Sequence, residues 1–238
     1  MKHIILADIH GNQEALETVI AHLRDRDVGA WIVLGDTVGY GANPNECFEW
    51  VLQNAKFQLM GNHEEAVVHR SLRDWFSGWA REAIDWTDRV LRPEFKKEIS
   101  ALSFMRIENQ ITFAHASPDT PDQYRYLMRY EDAVASFKKM ENAVGFVGHT
   151  HVPSFFSEEK HTFTWLKEGC LSLAGKGKML LNPGSVGQPR DGDSRLSFGI
   201  FDDENKTFEI VRLVYDNVKA ANKIRKAGLP RFLADRLL

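Results

Sequence analysis

Cysteine is scarce: the 238 residues contain two, Cys47 and Cys170, far apart and in no Cys-x-x-Cys or Cys/His spacing. That argues against a disulfide framework or a zinc ribbon, and makes a reducing cytoplasm the expected location. Long apolar runs are missing as well. No stretch approaches the ~20 residues of a membrane span. The apolar run at 4–7 meets Asp8 too soon for a signal peptide and reads as a buried strand. Neither sign of charge dominates, since 30 Lys and Arg against 33 Asp and Glu leave a net charge of −3. General affinity for nucleic acid or an anionic membrane is therefore not expected. Internal repeats and low-complexity segments are also lacking. What is present is an ordinary globular composition, 43% hydrophobic and 26% charged, at a length that suits one domain over 1–238.

Short apolar runs alternate with amphipathic stretches in the first half, as in βα units around a sheet covered on both faces. Strands are expected at 4–7, 31–34 and 57–60. Helices are expected at 12–25, with Leu16, Val19, Ile20 and Leu23 on one face and Asn12 as N-cap, and at 44–52 behind Pro44. From about 64 to 100 the text turns helical and rich in Trp (Trp75, Trp79, Trp86). This excursion either lies over the active face or forms ordinary surface helices anchored by Trp; the second reading is preferred. Strands resume at 111–114 and 144–147 around a helix at 130–140. A β-rich stretch follows at 155–156, 162–165, 179–181, 196–201 and 208–214, with turns such as Gly175-Lys176-Gly177 and Asp202-Asp203-Glu204-Asn205. These strands are expected to run antiparallel in a second sheet. A basic helical pair, split at Gly228-Leu229-Pro230, is expected to form a tail at 217–238.

Chemistry concentrates in five short blocks, each at the end of an expected strand: Asp8-Ile9-His10-Gly11-Asn12, Gly35-Asp36, Gly61-Asn62-His63-Glu64, His115 and Gly148-His149-Thr150-His151. Strand C-termini of an α/β sheet converge on one crevice. In an extended backbone the members of Asp8/His10 and of His149/His151 would point the same way. The glycines before Asp36, Asn62 and His149 would allow close backbone approach. Asp8 and Asp36 offer hard oxygen, His10, His115, His149 and His151 imidazole, and Asn62 a carbonyl oxygen. Such a mixed N/O set without thiolate suits divalent transition metals: manganese foremost, with iron, zinc, nickel or cobalt as alternatives. Seven ligands are too many for one ion and fit two if a carboxylate bridges. Taken singly each block has a bland reading as a surface loop or a buried histidine. Together, in one order, they do not.

That order resembles the calcineurin-like metallophosphoesterase superfamily. The later run Asn182-Pro183-Gly184-Ser185-Val186-Gly187-Gln188-Pro189-Arg190 is similar to a segment of its small bacterial and archaeal members, often labelled phosphodiesterases or relatives of diadenosine tetraphosphatases. The likeness spans roughly 4–201. It implies an α/β fold, a two-sheet β-sandwich flanked by helices in four α/β/β/α layers, carrying the helical insertion near 64–100. It also implies one ion on Asp8, His10, Asp36 and His151, and a second on Asp36, Asn62, His115 and His149. His63 matches the catalytic position that donates to the leaving-group oxygen or to the transition state. The protein Ser/Thr phosphatases of the superfamily carry Asp and Arg three and four residues after the bridging Asp, where this chain has Gly39 and Tyr40. That leaves His63 without its usual orienting partner and removes a phosphate clamp. Arg190, Asn12 and Tyr40 are the candidate substrate contacts.

The expected function is hydrolysis of a small, nucleotide-like phosphoester by a hydroxide held between two metal ions. The alternative is a non-catalytic metal-binding scaffold that uses the same fold for protein interaction. No membrane or nucleic-acid partner is expected. Diester or monoester preference, native metal and oligomeric state stay open.

Overall fold

The computed structural model describes residues 1–175 and 177–238. The chain opens with β1 (Lys2–Leu6), α1 (Gln13–Leu23), β2 (Trp31–Val33), α2 (Pro44–Asn54) and β3 (Ala55–Gln58). The helical segment follows as α3 (Asn62–Val68), a 3-10 helix at Arg70–Trp75, α4 (Gly78–Val90) and α5 (Pro93–Ser100). Next come β4 (Met105–Glu108), β5 (Ile111–Ala114), α6 (Tyr130–Lys139) and β6 (Val144–Phe146). The β-rich half supplies β7 (Ser154–Ser157), β8 (Thr162–Trp165), β9 (Gly169–Ser172), β10 (Met179–Asn182), β11 (Leu196–Asp202) and β12 (Thr207–Leu213). The chain ends in α7 (Asn217–Lys226) and α8 (Arg231–Asp235). The turn expected at Gly175-Lys176-Gly177 includes Lys176, which lies outside the described residues.

The strands form two six-stranded sheets, ordered β3-β2-β1-β11-β12-β9 and β4-β5-β6-β10-β7-β8. This corrects one expectation. The late strands do not make a sheet of their own but complete both: β11, β12 and β9 extend the sheet of β1, and β10, β7 and β8 extend that of β6. The central neighbours β1/β2, β2/β3, β5/β6 and β6/β10 are parallel, and the added hairpins are antiparallel. Apolar alternation says which residues share a face; it does not say which sheet a strand joins.

Alternation along β1 explains the layering. Ile5 and Ala7 point into a core between the sheets with Phe57, Phe113, Phe146, Phe201 and Phe208. Phe146 is fully buried, with its ring centroid 5.2 Å from Phe201 and 5.4 Å from Phe208. Ile4 and Leu6 face the other way, onto Leu16, Val19 and Leu23 of α1 and Ala220 and Ile224 of α7. On the outer face of the second sheet α6 lays Ala133 and Phe137 against Val147, Phe156 and Leu180. The result is helix, sheet, sheet, helix. The insertion has its own apolar cluster, with Phe48 and Met60 meeting Ala66, Ile84, Phe95 and Ile99. Among the described residues no helix is long and apolar enough to cross a membrane.

Candidate functional site

β1, β2 and β3 run parallel, as do β5 and β6, so their C-terminal ends deliver Asp8, Asp36, Asn62, His115 and His149 to one edge of the sandwich. Backbone bonds lace the loops together: Asp8 N–H donates to Gly35 O at 3.1 Å, His10 N–H to Asp36 O at 2.8 Å, and Gly148 N–H to His115 O at 2.8 Å. The Asn182–Arg190 run braces this edge from beneath. Ser185 Oγ donates to Asp8 O at 2.8 Å, Val186 N–H to Ala7 O at 3.0 Å, and Asn182 Nδ2 to Gly148 O at 2.7 Å.

The reason given above for the one-residue spacings is overturned. Asp8 (φ 55°), His10 (φ 50°), His149 (φ 66°) and His151 (φ 61°) are not extended but left-handed, as is Asp36 (φ 53°). Each strand ends before its ligand block, and a left-handed kink, not strand alternation, turns each side chain inward. Non-glycine residues adopt this region sparingly, at a cost of about 1–3 kcal/mol, and Asp and His tolerate it better than most. Gly61 serves a close approach: a Cβ there would overlap the Asp36 carboxylate.

The donors then form two groups. Asp8, His10 and His151 place one ligand atom each within 4.8 Å of one another, and Asp36, His115 and His149 do the same. Asp36 Oδ2 stands 3.3 Å from His115 Nε2 and 3.7 Å from His10 Nε2, between the two groups, while its Oδ1 accepts the His63 N–H at 2.9 Å. His63 also comes within ligand range of His10 and Asp36.

Tautomers follow from the acceptors. Nδ1 of His10 contacts Val38 O at 3.1 Å, Nδ1 of His115 contacts Leu34 O at 3.0 Å, and Nδ1 of His151 contacts Gln188 O at 2.6 Å. A carbonyl only accepts, so each Nδ1 carries a proton; the neutral rings of His10 and His151 turn an Nε2 lone pair inward, and His115 does so once a metal replaces its second proton. His10 Nε2 and His151 Nε2 consequently face each other at 3.1 Å. Two lone pairs at that distance repel unless a cation lies between them. Two nitrogens bonded at about 2.0–2.1 Å to one ion stand about this far apart. Asp8 Oδ1, in the same group, is buried without a hydrogen-bond partner, which fits the same occupant, and His149 Nε2 is left unpartnered in the other group. In the second group Asn62 Oδ1 lies 3.2 Å from His115 Nε2.

The electrostatics point the same way. Burial, helped by Asp36, pushes Asp8 up to about 7 despite the counter-pull of His115. Burial also works against ionising Asp36, but His115, His63 and His10 outweigh it and hold the carboxyl well below its usual range. His115 loses by burial and gains more from Asp36, Asp8 and Glu64, ending at about 9. The carboxylates thus demand positive charge, which a proton on His115 supplies when no metal does. Burial holds His10, His151 and His149 (about 3) neutral and ready to ligate.

Glu64, for which the sequence suggests no role of its own, is central to the scaffold. Its buried carboxyl accepts N–H bonds from Asp36 at 2.7 Å, Val38 at 3.0 Å and Gly61 at 3.1 Å, fixing the loop that carries Asp36. His63 is held without a carboxylate partner. Its Nδ1 is buried and unpaired, and its ring packs on Tyr40 (4.3 Å), His10 (4.7 Å) and Phe76 (5.3 Å). Burial lowers it to about 4, so it is neutral at pH 7. Gly39 explains the fit, because a side chain there would occupy the space of the His63 ring.

Of the candidate substrate contacts, Asn12 is committed elsewhere. Its Oδ1 accepts from Ala15 N–H at 3.2 Å as the α1 cap, and its Nδ2 donates to Gly187 O at 2.8 Å and Tyr215 OH at 3.2 Å. Tyr40 and Arg190 do reach the site. With Asn62 and His149 they line a cavity of about 880 Å³. Its walls include Phe76 and Trp79 of the helical segment, Tyr124 and Tyr126, and Arg236. Trp79 and Trp86 both pack on the core, as the preferred reading has it, and Phe76 and Trp79 also line the cavity, as the other reading has it. Tyr126 stacks 4.2 Å from His149.

A family model for the calcineurin-like phosphoesterase superfamily domain matches residues 1–206. An uncharacterized protein of Methanocaldococcus jannaschii is 40% identical, covering 98% of this chain and 96% of its own length. Among solved structures, a metallophosphoesterase from Sphaerobacter thermophilus superposes with a TM-score of 0.90 at 34% identity, over 100% of this chain and 98% of that one. A hypothetical protein from Pyrococcus horikoshii OT3 shares the fold, with a TM-score of 0.82 at 17% identity over 99% and 97% of the two chains. The chain belongs to the calcineurin-like phosphoesterase superfamily and is a metal-dependent phosphoesterase.

Proposed function

We propose that the protein hydrolyses a small nucleotide-like phosphoester at a pair of divalent ions, manganese foremost, with iron, zinc, nickel and cobalt as alternatives. Asp8, His10, Asp36 and His151 would hold one ion, and Asp36, Asn62, His115 and His149 the other. The observation that carries this reading is the pair of donor groups meeting at Asp36, with imidazole lone pairs facing across a gap only a cation reconciles. When bound, such ions supply Lewis acidity that activates water and neutralises phosphate oxygens.

The chain's own residues do the rest. The braced loops fix the donor positions before substrate arrives. His63, neutral at pH 7, still carries one ring N–H, which it gives as a hydrogen bond to the leaving oxygen as the P–O bond breaks. The aromatic walls offer flat faces to a planar ring, which favours a nucleotide-like molecule over a bare phosphate. Cys47 is buried and Cys170 exposed, both as free thiols, which suits a reducing cytoplasm.

Hydrolysis of bis-p-nitrophenyl phosphate after reconstitution with Mn²⁺ tests the reading. Turnover that disappears on chelation supports it. No turnover with any of the five metals would leave a metal-binding scaffold.

A further inference from the structure

Two cations stand at the cavity wall without an acidic partner. The Arg190 guanidinium donates to the neutral Oε1 of Gln188, at 3.0 and 3.3 Å, and its Cζ lies 5.8 Å from the ring centroid of Tyr40, another neutral neighbour. Arg236 arrives from the far end of the chain, one residue after α8, with its Cζ 5.3 Å from the Phe232 centroid. Among the described residues neither has a carboxylate within salt-bridge range. Other arginines differ. Arg125, on the same wall, is neutralised by Asp119 at 2.6 Å, and Arg195 by Asp193 at 2.8 Å. Arg236 lies below the ordinary arginine value, first through burial and then through the nearby charge of Arg190. Like charges held together beside a cavity repel until an anion joins them.

The placement is deliberate in packing terms. Leu233, Ala234 and Leu237 are buried against α1 and α7, and Phe232 packs on Trp79 of the insertion at 5.0 Å. Asn217 Nδ2 donates to Leu237 O at 2.8 Å, tying the segment down one residue beyond Arg236. Arg236 lies beyond the family-matched residues 1–206, in a tail that the alignment with the Sphaerobacter thermophilus structure also covers.

We propose that Arg190 and Arg236 form a subsite for a second phosphoryl group, so that preferred substrates carry two linked phosphoryl groups, one over the ligand floor and one on the arginines. The subsite rests on the hydrolytic reading above for what occupies the floor. Guanidinium suits the task because its planar fork grips phosphoryl oxygens in pairs.

The test uses Mn²⁺-loaded protein and two probes, methylenediphosphonate and methylphosphonate, compared by calorimetry and as inhibitors of bis-p-nitrophenyl phosphate hydrolysis. Arg236→Gln and Arg190→Gln should each weaken methylenediphosphonate by about tenfold or more, with a clearly smaller loss for methylphosphonate. Arg236→Lys should recover part of the loss. Chelation of free metal is common to wild type and variants and cancels in the comparison. Equal weakening of both probes, or no change in either, overturns the subsite. Absence of bis-p-nitrophenyl phosphate turnover would instead sink the hydrolytic reading, and calorimetry would still report on the arginines.

Discussion

The floor of the site and its wall are built differently. The floor is buried, its carboxylates and imidazoles tied to backbone groups of neighbouring loops, and five of its candidate ligands are kinked into left-handed conformations at strand ends. The wall is assembled from the insertion, the loop carrying Tyr124 and Tyr126, and the C-terminal helix; Trp75 on it is 87% exposed. Rigid sheet edges set the positions of the donor atoms, where the proposed chemistry tolerates little error. The more peripheral elements set the shape and charge of what enters, which is where related enzymes can diverge without disturbing the chemistry.

Substitutions sharpen that division, beginning with the floor. Asp36→Asn should abolish turnover and most bound metal, read together by kinetics and elemental analysis; retained metal would dissolve the bridging role. His63→Ala should lower kcat by about 10²–10⁴-fold with metal content nearly intact. If the metal left as well, His63 would count as a ligand, as its closeness to His10 and Asp36 allows. Glu64→Gln, acting through the loop of Asp36, should weaken metal affinity by roughly 10–100-fold in a chelator competition.

On the wall effects shrink. Trp75→Ala should raise KM for aromatic phosphoesters by about three- to tenfold while kcat changes little. The smallest change concerns stability. Asp88, despite burial, is held at about 2 by Lys96 and Arg73, so its contribution is present above pH 3.8 and fades as pH falls towards 2. Asp88→Asn should therefore lower Tm by about 2–4 °C at neutral pH, equivalent to roughly 1 kcal/mol, and the gap should close in acid. A gap that widened in acid would reverse that assignment.

The ligand blocks were legible because metal-capable side chains stood directly after apolar runs, and because β5 and β8 begin and end where their side-chain patterns do. Two of the four edge strands, β4 and β9, were not. β4 carries Arg106 and Glu108, and β9 is largely exposed, so neither offers the apolar run that marks a strand. The kinks at Asp8 and His149 were equally hidden, since the same residues would suit extended backbone. Arg236 reads as one more basic residue in a solvated tail until α8 docks on α1 and α7. Only the tertiary arrangement makes it a neighbour of Arg190.

The left-handed ligands carry one further implication. A chain selected only to stay folded would prefer glycine or asparagine at positions 8, 10, 36, 149 and 151. Deep mutational maps scored for abundance and for turnover should then disagree most at these five places, outlining the functional centre before any natural substrate is in hand.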